Sequence, residues 1–466
     1  MEDRDRVCTR DLSFVRYLLR LYKVLLQGLN IAKKACLWYN NYVFFVIITS
    51  AFAERSSMAS YVLQKMARKI PGMVIKPIPK PKPRVTEGFG KRAKVGEICR
   101  NAGYKRVMLI TDKTLFSLGY HTAIVESLKK NGIHCVVFHD ICTEPNAEII
   151  DAGRHIAIES EAECIIALGG GSVLDSSKMI AAGAKLKHIG TAALMLKFLP
   201  VDGGTVPMIT IPSTAGTGAE FTVAAVVTNH KGTKGSTVIV GLNVTNVILD
   251  SELMVNTPRS VSAACGIDAL SHGLEGCVAS VDSGKRNEKK SMECVKLVLN
   301  NLPKVLENPK DINARKKMCR AAFLGGNAIN EQLAGYVHAF AHSIGALYHI
   351  PHGSAIAACL LPVMNYQKYH CLFKLAALSR FCGLSDDDTD DISAADALLN
   401  ELAKLIKLCG FEKPEFIMRE DYHELAERIS NDAINYSAPV ALRKSEIFII
   451  LDNIRGHNSH INEIEE

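Results

Sequence analysis

With 466 residues, 48% hydrophobic and 22% charged, the chain has a globular composition and room for two or three domains, which excludes a disordered or collagen-like chain. Its formal net charge of +7 is unevenly distributed: residues 1–84 hold 16 Lys and Arg against 5 Asp and Glu, whereas the other 382 hold 39 against 43. The body is therefore mildly acidic, which argues against a nucleic-acid partner approached through a basic face.

The N-terminal extension comes first. Leu12–Leu29 is dominated by apolar residues with Arg16, Arg20 and Lys23 three or four apart, the spacing of a basic amphipathic helix. Tyr42–Ile48 is a run of only seven apolar residues, short for a membrane span. Ala51-Phe52-Ala53 mimics a signal-peptidase site, but the acidic residues Glu2, Asp3, Asp5 and Asp11 are wrong for an ordinary signal or transit peptide. Three readings stay open for this extension: a helical arm that packs on its own body or lies on a membrane surface, membrane insertion, and a targeting segment or an artefact of gene-start choice. A cytoplasmic location with membrane-surface association is the expectation. Residues 76–84 (KPIPKPKPR) carry four prolines, which remove backbone donors and fix φ, so a linker ends the extension here.

The body opens with alternating strand and helix signals. Val107–Asp112, Cys135–Phe138, Cys164–Leu168, Met208–Ile211, Val223–Val227 and Val244–Leu249 read as strands. Helical periodicity falls over Ile124–Lys130, Ile149–Ile158 and Val173–Ala182. This alternation predicts an α/β domain with a parallel sheet over residues 85–257. Beyond Pro258 the pattern turns helical, over 288–306, 314–329, 354–366 and 394–408, predicting an all-helical domain over 258–466. The fourteen cysteines are scattered with no Cys-x-x-Cys pair and read as core residues of a reducing compartment.

Two loops carry nucleotide chemistry. The third strand runs into Gly169-Gly170-Gly171-Ser172 ahead of a helix, a turn that lets backbone approach a pyrophosphate at a helix N-terminus. Its spacing is not Gly-x-Gly-x-x-Gly, and a structural turn is the alternative. The second loop, Pro212–Gly218, is also dense in hydroxyls and glycine and also follows a strand. Ligands gather beyond the carboxyl ends of parallel strands, so the two loops point to one site. Asp112, ending the first strand, reads either as an acceptor for an adenosine ribose or as a helix N-cap. In the first role its charge would disfavour a 2′-phosphate and select NAD over NADP.

Four of the fifteen histidines, His338, His342, His349 and His352, lie within residues 338–352. Upstream, Asp268 and His272 are spaced i,i+4 on one helical face, and so are His338 and His342. Such a set of oxygen and imidazole ligands suits Fe(II) or Zn(II).

These segments resemble the iron-containing (group III) alcohol dehydrogenases: Ile110–Lys113, the GGGS turn with Asp175 and Lys178, Pro212–Glu220 (PSTAGTGAE), Gly266–His272 (GIDALSH) and Gly335–Gly353. The resemblance covers about residues 85–455. It implies a dinucleotide-binding domain, a helical metal-binding domain, and an active site in the cleft between them. By position it makes Asp268, His272, His338 and His352 the metal ligands, displacing His342 from the simple i,i+4 reading. His342 becomes a catalytic residue near substrate and nicotinamide; His349 receives no role. Asp112, Gly169, Gly170, Gly171, Ser172, Asp175, Ser213, Thr214 and Thr217 would line the cofactor. The expected activity is NAD(P)-linked, metal-dependent interconversion of small alcohols and aldehydes, with Fe(II) preferred to Zn(II), NAD to NADP, and a homodimer as the assembly. A glycerol-dehydrogenase-like or synthase-type enzyme on the same fold is the alternative, and a scaffold that has lost catalysis is opposed by the intact ligand set.

Overall fold

A computed structural model describes residues 78–456 apart from 143–144, 190–193, 195–197, 229–233, 412–416 and 434–435. The expectations for the basic arm therefore lie outside the described residues. Among the described residues no helix is long and apolar enough to cross a membrane.

The first half alternates strands and helices: β1 (Arg84–Gly88), α1 (Val95–Asn101), β2 (Arg106–Asp112), α2 (Lys113–Ser117), α3 (Thr122–Lys130), β3 (His134–Ile141), α4 (Ala147–Glu159), β4 (Cys164–Gly169), α5 (Gly171–Lys185), β5 (Phe198–Pro200), β6 (Met208–Pro212), β7 (Ala224–Thr228), β8 (Lys234–Val240) and β9 (Val244–Asp250). Six strands form one sheet in the order β1-β9-β6-β4-β2-β3, every neighbouring pair parallel. The apolar run of β4 is buried along its whole length, as a central parallel strand covered on both faces must be. The proline-rich segment leads into β1 at the sheet edge, where missing donors cost least.

One expected strand belongs elsewhere. β7 is not part of the parallel sheet; it pairs antiparallel with β8 in a second, three-stranded sheet completed by β5. An apolar run reports burial, whereas its partner is chosen by long-range packing, and β7 shows the alternating burial of a sheet with one open face. Strands β1, β5 and β8 were not anticipated; each lies at or outside the hydrophobic heart of the main sheet, where apolar runs are short.

The second half is helical: α6 (Arg259–Val278), α7 (Lys285–Glu307), α8 (Ile312–Gln332), α9 (Tyr336–Tyr348), α10 (His352–Gln367), α11 (Leu372–Cys382), α12 (Asp391–Cys409), α13 (Tyr422–Ala433) and α14 (Lys444–Arg455). Local chemistry sets several ends. The Asp311 and Asp390 side chains accept backbone N–H bonds at the starts of α8 and α12, and left-handed Gly410 closes α12. A continuous apolar core joins α6 to α14, with Ile267, Leu270, Leu274, Val298, Phe340 and Leu360 all buried within it.

Candidate metal and cofactor site

In the main sheet the chain runs from β2 outward to β3, then returns to add β4 on the other side of β2. The carboxyl ends of β2 and β4 thus flank a topological switch point, the crevice where open parallel sheets bind ligands. Asp112 ends β2 there, and Gly169 ends β4, with Gly170 and Gly171 turning the chain into α5. Gly170 is the N-cap of α5 and offers no side-chain bond to the helix start. The hydroxyl-rich loop lies against this turn: a Cβ on Gly170 would stand 3.5 Å from Thr214 Cγ2, and one on Gly171 3.2 Å from Thr217 Cγ2. The Ser213 amide donates to the Gly169 carbonyl at 3.0 Å. The expected cofactor residues Gly169–Ser172, Ser213, Thr214 and Thr217 are therefore contiguous at the switch point.

Two of the expected aspartates make contacts within the domain. Asp112 accepts the Leu115 amide at 2.8 Å and N-caps α2, the local role weighed for it, while standing at the switch point. Asp175, expected beside the cofactor, has both oxygens engaged within the domain. Oδ1 receives the fully buried Lys178 ammonium at 2.8 Å, and Oδ2 the Val226 amide at 2.9 Å. Lys178 also donates to Thr222 Oγ1 at 3.0 Å and to the Ala224 carbonyl at 2.8 Å. Asp175 thus ties α5 to β7; the sequence spacing could not reveal a partner 51 residues away.

The histidines converge on Asp268. From its Oδ1, the Nε2 atoms of His352, His272 and His338 lie at 3.3, 3.5 and 3.7 Å. Ligand atoms of Asp268, His338 and His352 all fall within 4.8 Å of one another; His272 reaches the group through Asp268 and stacks on His338, ring centroids 4.8 Å apart. Asp268 and His272 share a face of α6, His338 comes from α9 and His352 from the start of α10. The turn between α9 and α10 is made by His349 in left-handed conformation (φ 54°) followed by extended Pro351, which returns the chain so that His352 faces His338. That is the local job of the histidine left without a role.

The donor set fits a divalent cation. Asp268 Oδ1 and His338 Nε2, which face each other in the cluster, are buried polar atoms without a hydrogen-bond partner, a costly arrangement for a carboxylate and an imidazole unless a cation joins them. Burial opposes charge on Asp268, but the surrounding His272, His352 and His338 hold its carboxyl well below the usual range. Burial pushes His272 down to about 4, so it is a neutral donor. Burial also disfavours charge on His338, yet Glu275 and Asp268 overcome it and raise His338 to about 10, so a cation at Nε2 would take the place of a proton there.

Three further placements matter. His342 sits on the exposed side of the cluster, its ring centroid 5.2 Å from His352 and 5.7 Å from His338. Its Nδ1 lies 3.0 Å from the Tyr436 hydroxyl. Glu275, buried one turn beyond His272, bonds His338 Nδ1 at 2.5 Å. Neither Tyr436 nor Glu275 was expected; Glu275 follows Asp268 by seven residues, a legible helical spacing, whereas Tyr436 comes from a distant segment without a motif. The His352 side chain is 42% exposed against 5% for Asp268, so the cluster opens to solvent on the side of His352 and His342.

The two halves meet at this place. Gly216 of the hydroxyl-rich loop abuts Cys265 of α6, one turn before Asp268, and a Cβ there would lie 2.9 Å from Cys265 Cα. A parallel sheet whose hydroxyl-rich loop after β6 rests on the helix carrying a buried Asp/His cluster places nucleotide-type loops and candidate metal donors side by side. The chain belongs to the iron-containing alcohol dehydrogenases: the model of the iron-containing alcohol dehydrogenase family matches residues 81–251, and that of the family's C-terminal domain residues 262–454. It is an alcohol/aldehyde oxidoreductase of that family.

Alcohol dehydrogenase 4 of Saccharomyces cerevisiae is 28% identical over 372 residues, spanning 78% of this chain and 94% of the relative. A 1,3-propanediol dehydrogenase of Citrobacter freundii is 31% identical over 360 residues, spanning 76% and 92%. Among solved structures, the sulfoacetaldehyde reductase of Bifidobacterium kashiwanohense in complex with NAD+ superposes with a TM-score of 0.75 at 25% identity, over 82% of this chain and 99% of that one.

Proposed function

We propose that the chain interconverts a small alcohol and its aldehyde with NAD(H), at a site between the GGGS turn and the Asp268 cluster, and that Asp268, His272, His338 and His352 hold Fe(II), with Zn(II) the alternative ion. The observation that carries this reading is the convergence of three imidazole Nε2 atoms on one buried, unpartnered carboxylate oxygen, Asp268 Oδ1. A divalent ion held there would supply Lewis-acid polarisation of the substrate oxygen.

The chain's own residues do the rest. Gly169–Ser172 at the start of α5, with Ser213, Thr214 and Thr217, take the cofactor's pyrophosphate side. Asp112, at the neighbouring strand end, takes the ribose and disfavours a 2′-phosphate. The contact of the Pro212–Gly218 loop with α6 keeps cofactor and cluster at a constant separation, as hydride transfer requires. A bound nicotinamide cofactor would supply the hydride acceptor for oxidation of the alcohol, and the hydroxyl proton would leave to solvent. His342, exposed and beside His352, is the group placed to pass that proton on, since an imidazole exchanges protons near neutral pH.

His272→Ala tests the reading: metal content by elemental analysis and NADH oxidation with short aldehydes should fall together. Full turnover by a metal-free variant would reject it. The homodimer and the membrane-surface association of residues 1–60 belong to the same proposal. Sedimentation, and cell fractionation with and without residues 1–84, test them.

A further inference from the structure

We infer that Glu275 is a positioning residue that fixes the orientation and the protonated nitrogen of His338, so that Nε2 presents its lone pair to the Asp268 cluster. The inference rests on the metal-site reading above and assigns to that site a residue outside its ligand set.

Glu275 is almost wholly buried, and its two oxygens are met by three N–H groups, all from the start of α9. Oε1 accepts the Val337 amide at 2.7 Å and the His338 amide at 3.3 Å. Oε2 lies 2.5 Å from His338 Nδ1. A carboxylate can only accept, so Nδ1 must carry the hydrogen and donate it. The other nitrogen, Nε2, then points at Asp268 Oδ1 from 3.7 Å with no hydrogen-bond partner. The chain makes room for this arrangement: a Cβ on Gly335 would stand 2.9 Å from Glu275 Oε1, so a glycine there lets α9 begin against the carboxylate. Asp268, His272 and Glu275 follow one another at four and three residues along α6, so one helical face supplies two cluster residues and the clamp for a third. A hydrogen bond to the far nitrogen of a ligating imidazole sets its ring orientation and raises its basicity, an effect worth 10–100-fold in metal affinity.

The alternative is that Glu275 only caps α9. Glu275→Gln separates the two roles, because a carboxamide has one oxygen for three donors. If that oxygen caps Val337 and His338, its NH2 faces Nδ1, which must then become an acceptor, and the proton moves to Nε2. Zn(II) affinity is measured by competition with a chelator, thermal unfolding serves as the folding control, and imidazole 15N resonances report which nitrogen is protonated, with His338→Gln to assign the signal. The expected result is a protonated Nδ1 in wild type, both metal-free and Zn(II)-loaded, and Zn(II) binding weakened about 10- to 100-fold in Glu275→Gln at little cost in melting temperature. Equal Zn(II) affinity in wild type and folded Glu275→Gln, or an unprotonated Nδ1 in Zn(II)-loaded wild type, overturns the inference. The wild-type resonance decides the matter even where the variant fails to fold. Failure of wild type to bind Zn(II) or Fe(II) at all would instead overturn the metal-site reading.

Discussion

Gly218 and Gly326 touch backbone to backbone: a Cβ on Gly218 would lie 2.4 Å from Gly326 Cα, and one on Gly326 2.3 Å from the Gly218 carbonyl oxygen. The first ends the hydroxyl-rich loop of the α/β half, with φ at 63°, and the second lies within α8 of the helical half. This contact, with Gly216 against Cys265, sets how closely the hydroxyl-rich loop approaches the helix of Asp268.

Gly326→Ala should therefore cost more than a helical alanine ordinarily would. Alanine favours helix by about 1 kcal/mol over glycine, but the clash forces main chain apart, so a net loss of about 1–3 kcal/mol is expected in urea unfolding. A stabilised Gly326→Ala protein would show that the two halves do not meet as described.

Asp112→Ser separates charge from capping. A serine can still accept the Leu115 amide, so α2 keeps its cap while the negative charge is gone. With the ribose role proposed for Asp112, kcat/KM for NADPH relative to NADH should rise about tenfold, a change of about 1.4 kcal/mol. An unchanged ratio in a protein of wild-type stability would remove Asp112 from cofactor selection.

Tyr436→Phe tests the support of His342. The substitution removes the hydroxyl 3.0 Å from Nδ1 and with it one hydrogen bond that holds the imidazole. One hydrogen bond is worth about 1 kcal/mol, so kcat should drop about 3- to 10-fold, with a shifted pH profile and unchanged metal content. A kcat equal to wild type across pH would sink the proton-relay geometry.

Glu220 has a signature in stability. It is buried with Oε1 unpartnered, and burial pushes its carboxyl up to about 7, against an opposing pull from Lys178. A carboxyl raised in the folded state binds its proton more tightly folded than unfolded. Its contribution is thus complete below about pH 4.5, declines as pH rises toward 7, and is fully lost above that. Between pH 4.5 and 8, melting temperatures should shift in favour of Glu220→Gln relative to wild type, by a free-energy difference on the order of 3 kcal/mol. A difference independent of pH would mean that Glu220 is already ionised in the fold.

Much of this was readable in residue order. The strands β2, β4 and β6 announce themselves because a strand covered on both faces must be apolar, β3 and β9 by shorter apolar runs, and the long helices because their buried stripe repeats every three to four residues. The glycine turn, the i,i+4 pair Asp268/His272 and the cluster 338–352 were legible for a related reason: each is a short-range pattern imposed by chemistry on neighbouring residues. What depended on contacts across the chain was not. The membership of β7 in a second sheet assigns a partner among several equivalent ones, and the contacts of Asp175 with Val226, Glu275 with His338 and Tyr436 with His342 join residues 51 to 94 apart. Local pattern tells a residue's periodicity and chemical type, and so the family and its ligand types could be recognised from the chain alone. Which donor meets which acceptor is decided only when the packed core brings the elements together, because that choice minimises buried, unpaired polar atoms over the whole molecule rather than within any one segment.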